Sequence, residues 1–309
     1  MAKIEQELQI RPQSTSQKGK NSSKYVKNRI FNIFTLSSAL ILGLVLLAII
    51  IFIGKTGLLV FKDVSPMEFF FSLNWDPDNA NEFGAGVFII GTFALTGLTL
   101  LIVTPLSIGL AVFTVEIAPA WLKKIMRPTL DLLVGIPSIV YGYLGLTILI
   151  PFIRQVSGSA VGNGLLAASL VLTIMVLPTI TRISDDAITA VPRELREASY
   201  AMGSTRFQAI FRVILPSAKQ GIISAVILGM ARSLGETMAV VMVIGGAVQL
   251  PPDLFTSTHV LTSYIVSFIV DVQAGSTYYN ALYMMAFLLL IISMIMIVII
   301  RRLRTKGVS

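Results

Sequence analysis

The sequence predicts an all-α integral membrane protein with six transmembrane helices, and three observations carry that expectation. Apolar residues make up 55% of the 309-residue chain and charged ones only 13%, about half the charge of an ordinary soluble domain. Six apolar runs reach the roughly 20 residues that a helix needs to cross a bilayer. They fall at about 31–53, 86–115, 130–152, 162–181, 220–248 and 280–300. Finally, 20 of the 24 Lys and Arg residues lie in segments on one side of that arrangement and three on the other, with Arg232 inside the fifth run. Basic loops stay cytoplasmic, so both termini and the loops at 116–129 and 182–219 are expected to face the cytoplasm. The net charge of +8 therefore reads as orientation, and no nucleic-acid partner is expected.

Taken in order, residues 1–30 are polar and rich in Ser, Gln and Lys, and are expected to form a disordered cytoplasmic tail. The run at 31–53 is 23 residues long, longer than the core of a signal peptide and without a clear small-residue cleavage site, so it reads as a retained span. The loop that follows carries five Asp and Glu between Asp63 and Glu82 and reads as a solvated outer surface. The second and fifth runs exceed a bilayer's thickness and are expected to tilt or project from it. Asp131, at the start of the third run, reads as interfacial. Gly135, Pro137, Gly142 and Gly145 should bend or thin that helix, which a membrane tolerates where neighbours or water satisfy the backbone. Tyr141 and Tyr143 fit either path lining or helix packing. The apolar stretch at 260–270 is too short to span and reads as re-entrant or interfacial. His259 begins it and reads as a capping or packing residue. Residues 301–309 form a basic cytoplasmic tail. The chain has no Cys and one His, which excludes disulfides, thiolate metal sites and histidine clusters; no metal site is expected.

The 182–219 loop has internal order. Pro192 suits a first helical position, and the helix it opens should run to Met202 and stop at Gly203, a residue free to adopt a left-handed C-cap. Ser204 or Thr205 can cap a second helix. Phe207, Ile210, Phe211 and Ile214 then form one apolar stripe, and Pro216 should close the helix. Such a hairpin could pack on its own bundle or dock a soluble partner, since apolar stripes rimmed by charge mark interfaces.

Within it, Glu197-Ala198-Ser199, Gly203 and Leu215-Pro216 resemble the EAA signature of ABC importer permeases, with Ser199 and Val213 in place of the family's Ala and Ile. The resemblance implies a coupling helix held in a groove of an ATP-binding subunit. This chain has no G-x-x-x-x-G-K-[ST] phosphate loop, so it is not expected to be an enzyme or to carry a cofactor. ATP and Mg would be bound by the partner ATPase.

Arg232 and Glu236 lie four apart in the fifth run, which on a continuous helix puts them on one face about a turn from each other. Gly221, Ala225, Gly229, Gly235 and Ala239 fall on or near that face, a small-residue strip that lets another helix approach. An ionisable residue at mid-membrane costs at least ~2.5–3.5 kcal/mol. The two charges could simply neutralise each other. Alternatively they form a site in a translocation path, where the guanidinium offers a donor fork to an oxyanion and the carboxylate can only accept. That pairing suits an anion that also carries protons, such as hydrogen phosphate, better than sulfate.

"SLGETMAV" behind Arg232, "IPSIVYGYLGL" at 136–146, "TPLSIGLAVF" at 104–113, and "WDP" and "FGA" at 75–77 and 83–85 are similar to phosphate-transport permeases of the PstC type, over about residues 75–300. The resemblance implies the type I ABC importer permease fold in a bacterial or archaeal plasma membrane, with ATP-driven import of inorganic phosphate. It implies as partners a PstA-type permease subunit, a dimer of ABC ATPase subunits, an extracytoplasmic phosphate-binding protein and membrane lipid. Arg232 would then hold the anion and Glu236 orient or gate it, while Glu197, Ala198, Ser199, Gly203, Leu215 and Pro216 transmit ATPase closure. The alternatives are an ABC importer of sulfate or molybdate, or a secondary transporter or channel using Arg232 and Glu236 as an ion relay. Deleting residues 196–206 separates the classes: uptake is expected to be lost in an ATPase-coupled importer, and to persist in a secondary transporter.

Overall fold

A computed structural model describes residues 18–78, 80–158 and 160–305. Its elements are α1 (Lys18–Leu58), α2 (Pro66–Phe71), β1 (Trp75–Asp76), β2 (Glu82–Phe83), α3 (Gly86–Val112), α4 (Ala120–Gly135), α5 (Ser138–Leu144) and α6 (Ile150–Ser157). They continue with α7 (Leu165–Thr189), α8 (Arg193–Ala201), α9 (Arg206–Ala209), α10 (Leu215–Gly235), α11 (Met238–Val243), α12 (Leu261–Phe268) and α13 (Thr277–Thr305). Among the described residues, six helical stretches are long and apolar enough to cross a membrane: Asn28–Lys62, Gly86–Ile117, Ser138–Ser157, Leu165–Thr189, Arg206–Gly235 and Thr277–Val298.

The boundaries differ from the sequence reading at both tails and at three spans. Of the expected N-terminal tail, residues 1–17 lie outside the described residues, and the chain is already helical from Lys18. Likewise α13 runs on to Thr305 through most of the expected C-terminal tail, whose last residues, 306–309, lie outside the described ones. The third span begins at Ser138 because Ile136 and Pro137 are extended, with ψ of 129° and 138°. The residues before that break form the separate helix α4. The fourth span continues to Thr189, eight residues past its expected end.

The fifth departs most. Pro216 does not close the helix that starts at Arg206. Leu215 N–H bonds to the Ile210 carbonyl, five residues back, so residues 210–214 form a π turn. A proline in a helix lacks a donor and presses on the carbonyl four residues earlier; the wider turn makes room for it. The same turn recurs at Gly145–Leu149 ahead of Pro151, and at Phe113–Ile117 ahead of Pro119, where the helix does end.

The chain divides into two units after Phe52. In the first, α1 exposes apolar side chains such as Phe34, Leu40, Leu44 and Ile49 on every face. The second unit is built around α7, which packs against α3 and α10. Without water to drive apolar association, membrane helices adhere through close packing of small residues and interhelical hydrogen bonds. The buried face of α3 has that character: Gly91, Thr92, Thr96, Thr99, Ser107 and Ala111, with the Ser107 hydroxyl donating to the Leu177 carbonyl at 3.2 Å. The small-residue strip of α10 behaves as expected over its first half. A Cβ at Gly221 would lie 2.3 Å from that of Ala187, and one at Gly229 would lie 2.5 Å from Ile180.

At one end of the second unit, Trp75 pairs across β1–β2 with Phe83 and donates its indole N–H to the Tyr264 hydroxyl at 2.7 Å. Phe83, Phe88, Tyr264 and Tyr278 surround its ring. Gly84 is required there, since a Cβ would sit 2.5 Å from the carbonyl oxygens of Ser72 and Asn74. The acidic outer loop is thus folded onto an aromatic core. The short stretch at 260–270 holds α12, whose first four residues are buried. His259 is buried beside it with Nδ1 3.1 Å from the Ser263 hydroxyl, a packing role as read from the sequence.

At the opposite end, α4 is fastened to α7 by two reciprocal ion pairs. Arg127 donates Nε and Nη2 to the Asp185 carboxylate at 3.0 and 2.8 Å, and Arg182 meets Asp131 at 3.1 Å. Asp185 is fully buried and also accepts from Thr189, whereas Arg127 is 38% exposed. Stability should therefore respond unequally. Arg127→Ala strands a buried carboxylate and is expected to cost about 3–5 kcal/mol. Asp185→Asn leaves a cation that water can reach and should cost about 1–3 kcal/mol. Thermal unfolding of the two variants in the same detergent checks the order.

Candidate translocation and coupling sites

Arg232 and Glu236 do not share a helix. Gly235 is the last residue of α10, and Glu236 is extended, with φ −72° and ψ 129°. The break is closed by side chains, as a membrane interior demands. The Glu236 carboxylate accepts from the Ala239 N–H at 3.2 Å and so caps α11, one of whose first-turn donors would otherwise be orphaned. The Thr237 hydroxyl donates to the Gly235 carbonyl at 3.2 Å. From α12, the Thr262 hydroxyl donates to the Glu236 carbonyl at 3.1 Å. The expected helical pair is corrected accordingly, and mutual neutralisation with it. Among the described residues, ion pairs are made by Arg127, Arg182 and Arg196, and Arg232 is not among them.

Instead, Arg232 Nη1 donates to the Thr179 hydroxyl of α7 at 2.8 Å. It lies on the face of α10 that carries Ala225 and Gly229. The Tyr141 hydroxyl is engaged with the Leu133 carbonyl of α4 at 2.9 Å. The two interrupted spans meet at Gly142 of α5, where a Cβ would lie 2.9 Å from the Ala239 Cα of α11. So Arg232, Thr179, Tyr141 and Glu236 gather around two adjoining helix breaks. Among the described residues the half-buried Arg232 guanidinium has one neutral hydroxyl as its side-chain partner, so most of its five donors have no side-chain acceptor. Tyr143, by contrast, is exposed on the outer face of α5.

The hairpin at 192–216 forms as the spacing predicts, with two differences. Pro192 is the N-cap rather than the first helical residue, and α8 ends at Ala201. Gly203 takes φ +78°, and Thr205 caps the second helix in a reciprocal box with Gln208. Ser199 bonds the Ser204 hydroxyl at 2.6 Å, stapling the turn. The apolar stripe divides into two faces. Ile210 and Ile214 are buried with Ile188, Ala218 and Ile222, while Phe207 and Phe211 stack outward, ring centroids 4.3 Å apart. Glu197, Ala198 and Pro216 are exposed and Leu215 is half-buried. One face packs on the chain's own bundle and the other is presented outward. Sequence reading missed Thr179, Arg127–Asp185, and the pair formed by Arg196 with Glu116 at 3.2 Å; only the charges themselves were visible as signals.

A profile of the family described as binding-protein-dependent transport system inner membrane component matches residues 104–306. The probable ABC transporter permease protein YqgH of Bacillus subtilis (strain 168) is 47% identical over 271 residues, 87% of this chain and 88% of that one. The phosphate transport system permease protein PstC of Xylella fastidiosa (strain 9a5c) is 36% identical over 255 residues, 76% of this chain and 78% of that one. A chain of a bacterial alginate ABC transporter, solved with an alginate pentasaccharide-bound periplasmic protein, superposes with a TM-score of 0.62 at 17% identity over 90% of this chain and 96% of that one. At that identity the likeness is one of fold.

The capping geometry makes a separable prediction at Glu236. Glu236→Gln keeps an acceptor for the Ala239 N–H and is expected to leave stability unchanged. Glu236→Ala loses the cap and should cost about 1 kcal/mol, read as a lower denaturation midpoint.

Proposed function

The chain belongs to the family of binding-protein-dependent transport system inner membrane components, and on that premise we propose that it is the transmembrane permease subunit of an ATP-driven importer carrying inorganic phosphate into the cytoplasm. The observation that carries the cargo is the 36% identity to a phosphate permease across three-quarters of the chain. Family membership sets aside the secondary-transporter alternative. The one-sided distribution of Lys and Arg supports a topology in which both termini and the α8–α9 hairpin face the cytoplasm, in a bacterial or archaeal plasma membrane.

The partners that complete this reading are a PstA-type permease subunit, a dimer of ABC ATPase subunits that binds ATP and Mg, and an extracytoplasmic phosphate-binding protein. Phe207 and Phe211, with Met202 exposed beside the Gly203 turn, give the hairpin an apolar contact for the ATPase. Glu197, Ala198, Ser199, Gly203, Leu215 and Pro216 shape that contact: Ser199 and Gly203 fix the turn, and Leu215 and Pro216 carry the second helix into α10 without a stop.

Within the membrane, Arg232 is the anion-holding residue. The physical support is that, among the described residues, no carboxylate pairs with that guanidinium, because a cation already paired would have little left to offer an oxyanion. Glu236 orients or gates the anion from the break beyond α10. Its fixed carboxylate accepts a proton-bearing phosphate oxygen and disfavours fully ionised sulfate.

Uptake of radiolabelled phosphate at low external concentration, in cells with and without the gene and with sulfate as competitor, tests the cargo. Arg232→Gln is expected to abolish uptake while the subunits still co-purify; loss of co-purification would instead make Arg232 a structural residue.

A further inference from the structure

The hairpin's first helix, α8, has nine residues and buries none of its own side chains. A helix that short is marginal by itself, so whatever fixes α8 in place comes from beyond it. Arg196, in the middle of α8, supplies the connection. Its Nη1 donates to the Val191 carbonyl at 3.0 Å and its Nη2 to the Ile188 carbonyl at 2.7 Å, so the guanidinium sits over the C-terminal end of α7, where a cation is favoured. The same Nη2 lies 3.2 Å from Glu116 Oε1.

Glu116 belongs to the π turn Phe113–Ile117 that finishes the second span. Arg206, the first residue of α9, donates to the Glu116 backbone carbonyl. Both helices of the hairpin therefore grip the same residue, one at its side chain and one at its backbone. The Arg196 and Glu116 side chains are only 19% and 11% exposed, so solvent screens their attraction little. The apolar face of the hairpin, through Ile210 and Ile214, leads directly into α10.

We infer that Arg196, with Glu116, is the positioning joint that passes displacement of the hairpin to the ends of the second and fourth spans, so that they move with the fifth. This rests on the reading of the hairpin as the ATPase contact. Arg196 is remote in sequence and contact from the Arg232 cluster and acts only through the helices it ties. The geometry requires an arginine: one planar fork donates to two carbonyls and also sets its charge beside a carboxylate, which a lysine's single ammonium cannot reproduce.

The test uses the whole complex, this chain with its permease partner, ATPase and binding protein, reconstituted in vesicles. Arg196→Lys, Arg196→Gln and Glu116→Gln are compared for ATPase co-purification, ATP hydrolysis and phosphate uptake. The ATPase is expected to remain bound and to hydrolyse ATP, while phosphate moved per ATP falls about tenfold in both Arg196 variants and by less in Glu116→Gln. The inference is overturned if Arg196→Lys restores the wild-type ratio, since charge alone would then suffice. It is equally overturned if uptake and hydrolysis fall together with the amount of bound ATPase, or if the Arg196 variants fail to assemble while Glu116→Gln assembles with an unchanged ratio. A wild-type complex that moves no phosphate overturns the functional reading instead, and the variants then report on the joint through hydrolysis stimulated by the binding protein.

Discussion

A bilayer core offers no hydrogen bonds to the backbone, and the architecture of this chain follows from how it meets that constraint. Where the spans are continuous, the helix itself satisfies its N–H and C=O groups. Each departure is answered by a specific group. The break after Gly235 is closed by the Glu236 carboxylate, the Thr237 hydroxyl and Thr262 from a neighbouring helix. The prolines at 119, 151 and 216 each follow a five-residue π turn. Interruptions of this kind concentrate irregular backbone where two half-helices meet, and Arg232 stands there.

The same logic accounts for the distribution of charge within the bundle. At the membrane interior a single guanidinium is held by a hydroxyl. Toward the end that carries the basic loops, Arg127 pairs with Asp185, Arg182 with Asp131 and Arg196 with Glu116. Those pairs link helices that apolar packing alone would leave free to slide, because lipid competes for apolar surface as well as another helix does. The paired charges suit a scaffold whose helices stay in register.

Six spans were legible in the sequence because length and apolarity are one-dimensional signals. So was the hairpin, whose glycine, cap and proline are local features. Two of these local signals misled. Pro216 reads as a stop only if the turn before it is a normal α turn, and Gly235-Glu236-Thr237 reads as helix because its flanks are strongly apolar. Both outcomes depend on tertiary partners: Thr262 lies 26 residues beyond Glu236. The partners of Arg232 and Arg196 were invisible for the same reason, since Thr179 and Glu116 are distant in sequence and neither residue type announces the contact.

The π turn at Ile210–Ile214 has one further consequence. It inserts one residue more than an α turn would use, and a helix advances 100° per residue. Everything downstream on the rod from Arg206 to Gly235 is therefore rotated by that amount relative to the hairpin. Removing one residue from this turn would swing the Arg232 side chain a quarter-turn or more away from Thr179. The azimuth of the half-buried cation is thus set some twenty residues away, beside the hairpin, by the pitch of a single turn.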